Sequence, residues 1–346
     1  MSAASTFPAA GLSDRPKTSG WIISKRDDLI WFIGSAAVSY MALALMAAGF
    51  PILPLQYIWF FGVDGPHVYS TITRTYLDRA ERAKLGRFLW MPLPLVLIGP
   101  LMTWAGLYSL FTLLAVCWQH YHIVKQHFGM VMLYKAKARD RDRNDFWLDR
   151  IFLLASLFAP LAIFVLRTQP GIRALVEWLP AAVFTAYGLI AGAWVLRQIQ
   201  KMRAGIGIHW QKTGLLFAVV PLQWLALLHA SQFGPDGILR AGITLGLFHS
   251  FQYHRLMWFH NKNRYTEPGA AETHGFAARL VSSVWIYAAV AIGLHFVGAF
   301  VPQLLFPLNK FVSAAMWGFA FTHYCLDARI WHVRSDKGLA RALKMA

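Results

Sequence analysis

Residues 107–134 read LYSLFTLLAVCWQHYHIVKQHFGMVMLY. A bilayer core takes about 20 apolar residues in a helix, and this stretch is long enough. From its midpoint onward it nevertheless carries His120, His122 and His127. Imidazole is costly in hydrocarbon and persists there when it has a partner or a task. Residues seven apart share a helix face, so His120 and His127 point one way, about 10 Å apart along the axis at 1.5 Å per residue. His122 points elsewhere, with Gln119 and Gln126. One of these two faces should meet a site, with His120 as the deeper ligand candidate and His127 at the mouth. The stretch therefore predicts a transmembrane helix with a polar, working half.

The rest of the chain repeats this character. Of 346 residues, 57% are hydrophobic, 15% aromatic and only 14% charged, and mean hydropathy is +0.44. This is a membrane composition. Further apolar stretches lie at 29–50, 52–77, 88–106, 147–167, 174–197, 211–232, 238–260, 277–301 and 308–331. The 52–77 stretch is interrupted and the junction near 106–108 is tight, so eight to ten spans are expected. The predicted architecture is an all-α, polytopic transmembrane helical bundle. One domain covers 21–335, between a disordered cytoplasmic tail at 1–20 and a second cytoplasmic tail at 336–346. The first tail lacks the apolar stretch of a secretory signal.

Charge fixes the expected orientation. The loops after spans 1, 3, 5, 7 and 9 carry Arg167, Arg173, Arg240 and Lys310, while nearly all other basic residues border the opposite loops and the tails. This positive-inside asymmetry predicts an inner-membrane protein with both termini in the cytoplasm. It also accounts for the net charge of +17 through anionic lipid head groups, without nucleic acid. Cys117 and Cys325 form no spaced motif, and they read as small buried hydrophobes.

Three more histidine clusters sit in spans 2, 8 and 10. Asp64-Gly65-Pro66-His67 pairs a favoured N-cap residue with proline at the first helical position, so a broken helix restarting near Pro66 is expected. From there His67, Thr71, Arg74 and Asp78 share a face; the alternative is a kink capped by Asp64. In span 8, His249, Tyr253, Leu256 and His260 trace one face, and His254 lies about 140° around. In span 10, His323 and Asp327 are neighbours at i and i+4. They form a two-ligand unit, or Asp327 orients a ligand imidazole; the alternatives are a structural hydrogen bond or an interfacial Asp327–Arg329 pair. His332 is interfacial. The lone His209, His229, His274 and His295 are read as structural.

The candidate metal ligands are thus His67, His120, His122, His127, His249, His254, His260 and His323, with Asp64 and Asp327. Imidazole with some carboxylate and no thiolate suits iron, zinc, copper or manganese. Spans 2, 4, 8 and 10 run the same way, so their clusters belong to one site on the cytoplasmic side. Eight histidines exceed one tetrahedral site, which leaves room for one or two metals, non-haem iron first. In strategy these clusters resemble the integral-membrane di-iron hydroxylases, desaturases and alkane monooxygenases. Those families use His-x₃₋₄-His and His-x₂₋₃-His-His boxes. This chain has no adjacent His-His pair; its spacings are His-x-His-x₄-His, His-x₄-His-x₅-His and His-x₃-Asp. The resemblance implies a membrane oxygenase (hydroxylase, desaturase or oxidative cleavage) acting on a hydrophobic, lipid-like substrate. Nothing resembles a nucleotide-binding glycine loop or an iron–sulfur cysteine set, so a separate electron donor is expected. The alternatives are a haem-binding electron carrier, a metal or solute transporter, and interfacial histidines with no ligand.

Overall fold

A computed structural model describes residues 20–169, 171, 174, 176–234, 236–307, 309–333 and 335–345. The expected tail 1–20 lies outside them except for Gly20, and Arg173 lies outside them too. Among the described residues there is no strand. The main helices are α1 (Lys25–Ala47), α2 (52–74), α3 (Arg79–Trp104), α4 (Tyr108–Lys137), α5 (Arg143–Thr168), α6 (Leu179–Arg203), α7 (Trp210–Ala230), α8 (Asp236–Tyr265), α9 (Val284–Leu305), α10 (Lys310–Ile330) and a short α11 (Lys337–Ala342), with single helical turns at Ala270–His274 and Phe276–Leu280 between α8 and α9. Each apolar stretch of the sequence falls on one of the first ten.

Six of these helices, α1, α3, α5, α6, α7 and α9, are long and apolar enough to cross a membrane. The other four, α2, α4, α8 and α10, are the histidine carriers. Their polar residues lower their hydropathy; α8 is buried along most of its length, whereas α2, α4 and α10 each turn one face inward and leave side chains such as Ile58, Leu114 and Phe311 exposed. Helix α8 packs against α1, α2, α4 and α7, and α10 packs along α3 and against α2 and α4. The α3–α10 contact requires a residue without a side chain: a Cβ on Gly318 would lie 2.4 Å from the backbone of Val96. The main core joins Leu153 and Leu157 of α5, Leu215 and Leu222 of α7, and Phe248 of α8, all essentially inaccessible.

The expected break at Asp64 is absent. Helix α2 runs through it as a π-turn over Ile58–Asp64, and Asp64 keeps helical angles (φ −74°, ψ −46°) with no side-chain cap bond. Pro66 has no N–H to return to Gly62, which favours the wider i→i+5 pattern. Widening keeps the backbone bonded, where an open break would leave polar groups to be satisfied by other means.

The basic end of the bundle is held by buried ion pairs. Lys212 and Asp149, both essentially inaccessible, meet at 2.7 Å. Lys135 reaches Asp140 at 2.7 Å and Asp149 at 3.2 Å, and Trp194 Nε1 donates to Asp149 at 3.0 Å. These contacts tie α4, α5, α6 and α7 together. Of the expected tail 336–346, the described residues 336–345 are packed here. Leu339 and Leu343 are fully buried, and Lys137 Nζ donates to Leu343 O at 2.9 Å. Asp336 caps α11 and pairs with Lys84. Burial disfavours the Asp336 charge, but Lys84 and the Leu339 N–H together outweigh it and hold the carboxyl below its ordinary 3.8. Near the other end of the chain, Asp27 pairs with Arg255 of α8. Both ends of the described chain therefore sit at the same end of the bundle.

Candidate metal centre

Helices α2, α4, α8 and α10 each contribute one imidazole to a common point. The ligating nitrogens of His67, His122, His249 and His323 all lie within 4.8 Å of one another. The rings form a closed circuit: centroids are 4.9 Å apart for His67–His249, 5.0 Å for His249–His122, 4.8 Å for His122–His323 and 4.7 Å for His323–His67. None is more than 7% exposed. Tyr324 stacks on His122 at 4.3 Å and fixes that ring's plane.

The surrounding hydrogen bonds set which nitrogen faces inward. Tyr253 donates to the Asp327 carboxylate at 2.8 Å, Thr71 Oγ1 lies 2.8 Å from the Tyr253 hydroxyl, and His323 Nδ1 lies 2.7 Å from Thr71 Oγ1. An ionised carboxylate only accepts, so we assign every proton in this chain to point toward Asp327. His323 then carries its proton on Nδ1 and turns a bare Nε2 to the centre. In the same way His67 Nδ1 donates to the backbone oxygen of Asp64 at 2.5 Å, which bares its Nε2. Ser250 donates to Asp64 Oδ1 at 2.9 Å, and that oxygen lies 3.5 Å from His67 Nδ1. Asp64 thus stands behind the His67 imidazole, while Asp327 reaches His323 Nδ1 only through Thr71 and Tyr253. Asp327 Oδ2 is 3.7 Å from His323 Nε2.

This donor set fits a transition-metal ion. His67 Nε2 and His249 Nε2 are 3.1 Å apart. Two nitrogens bound to one ion at about 2.0–2.1 Å stand about 2.8–3.4 Å apart for octahedral to tetrahedral angles. His122 Nε2 and His323 Nε2 are buried and have no hydrogen-bond partner. Unpartnered buried nitrogens are costly in a folded protein, and a shared cation satisfies them together.

The remaining candidates lie elsewhere. The face of α4 that meets the centre is that of His122, not that of His120 and His127. His120 Nε2 is 3.0 Å from Leu157 O of α5, and Gln223 of α7 is 3.3 Å from its ring. His127 bonds back to Ile123 O at 2.9 Å and packs on Phe248. His254 reaches Val63 O at 3.0 Å, with its ring 6.4 Å from that of His67. His260 bonds Asn261 and packs on Trp331, toward the basic end. Asp64 lies behind His67, and Asp327 lies beside His323, with Oδ2 3.7 Å from the inward Nε2. Among the lone histidines, His209 caps α7 and His274 pairs with Asp78 at 3.0 Å. Cys117 and Cys325 are both free.

A cavity of about 750 Å³ opens from the centre. His67, His122 and His249 form its inner wall, and Leu53, Leu304 and Phe306 lie at its far end. From His67 to Leu53 the helix rise gives about 20 Å, directed away from the basic end. His295 also lines this cavity. Sequence reasoning passed over it, because a solitary imidazole in an apolar span has no ligand at helical spacing to mark it.

No family model, curated protein or solved structure matches the chain.

Proposed function

We propose that this chain is a membrane-embedded, metal-dependent oxidoreductase of the non-haem iron oxygenase kind, acting on a hydrophobic substrate drawn from the bilayer. The observation that carries this reading is the convergence of four buried imidazoles, three of which form the inner wall of a long, mainly apolar cavity. One ion held by His67, His122, His249 and His323 is the simplest occupant. All-nitrogen coordination suits iron or copper as well as zinc, and iron bound there supplies dioxygen activation toward a C–H or C=C bond. The protein's own part is to hold the four rings in place, to exclude water through Tyr324 and the aromatic cavity wall, and to balance the cation with Asp327 and Asp64.

A haem is less favoured. Axial histidines on opposite faces of a porphyrin stand about 4 Å apart, two metal–nitrogen bonds end to end, against 3.1 Å for His67 and His249. We place the centre in the cytoplasmic half of an inner-membrane bundle, on the charge asymmetry of the loops, and a separate protein supplies electrons. The test is elemental analysis of the purified protein, followed by oxygen uptake with a chemical reductant and membrane lipid extract. About one redox metal per chain with lipid-dependent uptake supports the reading. Protein free of metal overturns the site, and protein holding only zinc overturns the redox chemistry.

A further inference from the structure

The cavity holds a second polar station that metal binding does not use. His295 of α9 is 2% exposed, and neither of its ring nitrogens has a hydrogen-bond partner. Its ring packs edge-on to Phe60 at 4.7 Å and beside Tyr69 at 5.6 Å. The hydroxyl of Tyr69 is likewise buried and unpartnered, and both residues line the cavity. The ring is seated directly on α2: a Cβ on Gly65 would fall 2.4 Å from each of its nitrogens. Gly65 lies two residues before His67, so this station is within a helical turn of the metal ligands.

Burying three polar atoms without partners costs free energy unless a ligand meets them. A neutral imidazole offers one donor and one acceptor, and a phenol offers both. A hydroxyl is the small group that both gives and takes. A ketone or aldehyde only takes. A carboxylate or phosphate brings a charge, and among the described residues no lysine or arginine lines the cavity. The remaining volume is bounded mainly by apolar and aromatic side chains and leads away for about 20 Å.

We infer that the cavity selects an uncharged long-chain lipid alcohol, bound with its hydroxyl between His295 and Tyr69 and its hydrocarbon tail running out toward Leu53 and Phe306. This rests on the substrate cavity of the proposed function and adds an orientation to it: the alcohol enters head first, and the carbons next to the hydroxyl lie nearest the four histidines.

Binding of tritiated oleyl alcohol to the full chain in nanodiscs tests this, with oleate, oleyl aldehyde and the matching hydrocarbon as competitors. The expected result is that unlabelled alcohol competes at least about tenfold better than any of the three. His295→Phe and Tyr69→Phe should each weaken alcohol binding roughly three- to tenfold, the worth of one net hydrogen bond, while hydrocarbon binding and metal content stay at wild-type values. Equal competition by alcohol and hydrocarbon overturns the inference, as does preference for aldehyde or oleate. The competition series needs no variant, so a misfolded substitution does not obscure it. Alcohol selectivity in a protein that binds no metal would retire the oxidoreductase reading alone; metal without selectivity would retire this inference alone.

Discussion

Thr71→Val tests whether the hydrogen-bond chain behind His323 sets the metal affinity. Valine fills the same space without a hydroxyl, so the acceptor 2.7 Å from His323 Nδ1 disappears and the link to Tyr253 is cut. The His323 N–H is then left buried and unbonded, which costs about 1–3 kcal/mol. Loss of a group that orients a ligand imidazole ordinarily lowers metal affinity about 10- to 100-fold, equivalent to about 1.4–2.7 kcal/mol, so two independent routes give the same size. The assay is metal retained by the purified variant after equilibration against a graded series of chelator concentrations. Thr71→Ser restores the hydroxyl and should bind as the wild type does, which separates the hydrogen bond from packing. Wild-type affinity in Thr71→Val, or equal weakness in valine and serine variants, would refute the assigned proton directions.

Within α4, His122→Ala should abolish metal binding while His120→Ala retains it, read by elemental analysis; the reverse pattern would place the site on the wrong face. Removing one partner of the buried Lys212–Asp149 pair, as in Lys212→Ala, should cost about 3–5 kcal/mol, seen as a lowered thermal midpoint in detergent with metal stoichiometry unchanged at low temperature. Asp336 has a lowered carboxyl pKa, so the stability it lends α11 is full above the ordinary carboxylate value and fades as pH falls through the folded value; hydrogen exchange of α11 should rise on acidification, and Asp336→Asn should remove that dependence. A reporter fused after Ala346 should be active in the cytoplasm; activity on the far side of the membrane would invert the proposed orientation.

Much of this arrangement was legible because hydropathy and helical spacing are local. Stretches of about 20 apolar residues marked the helices, and the coincidence of histidines on spans 2, 4, 8 and 10 marked those that converge. Which ring faces the centre was not legible on α4. Both of its faces carry histidine, and the choice is made by Leu157 O and Gln223, which take up His120 from other helices. The Asp64-Gly-Pro signal marks a real irregularity, which takes the form of a π-turn and not of a break. A cap needs an open turn, and at this position the chain keeps its bonds by widening instead. His295 was invisible for the opposite reason: its significance comes from the cavity, which no single helix defines.

The division of labour between helices has a physical basis. In the proposed bilayer setting, a span that carries imidazole and carboxylate cannot face hydrocarbon on all sides, so each of the four site helices needs apolar neighbours. Helix α8 shows the result. His249, Ser250, Gln252, Tyr253, His260 and Asn261 are all at most 2% exposed, although the helix falls short of the apolarity of a simple span. Six more apolar helices supply that enclosure. The same enclosure leaves His122 Nε2 and His323 Nε2 without a hydrogen-bond partner, where the proposed cation would satisfy them. Cluster and wrapping are therefore one solution to a single problem, and a substitution that exposed α8 to lipid would be expected to damage the centre without touching a ligand.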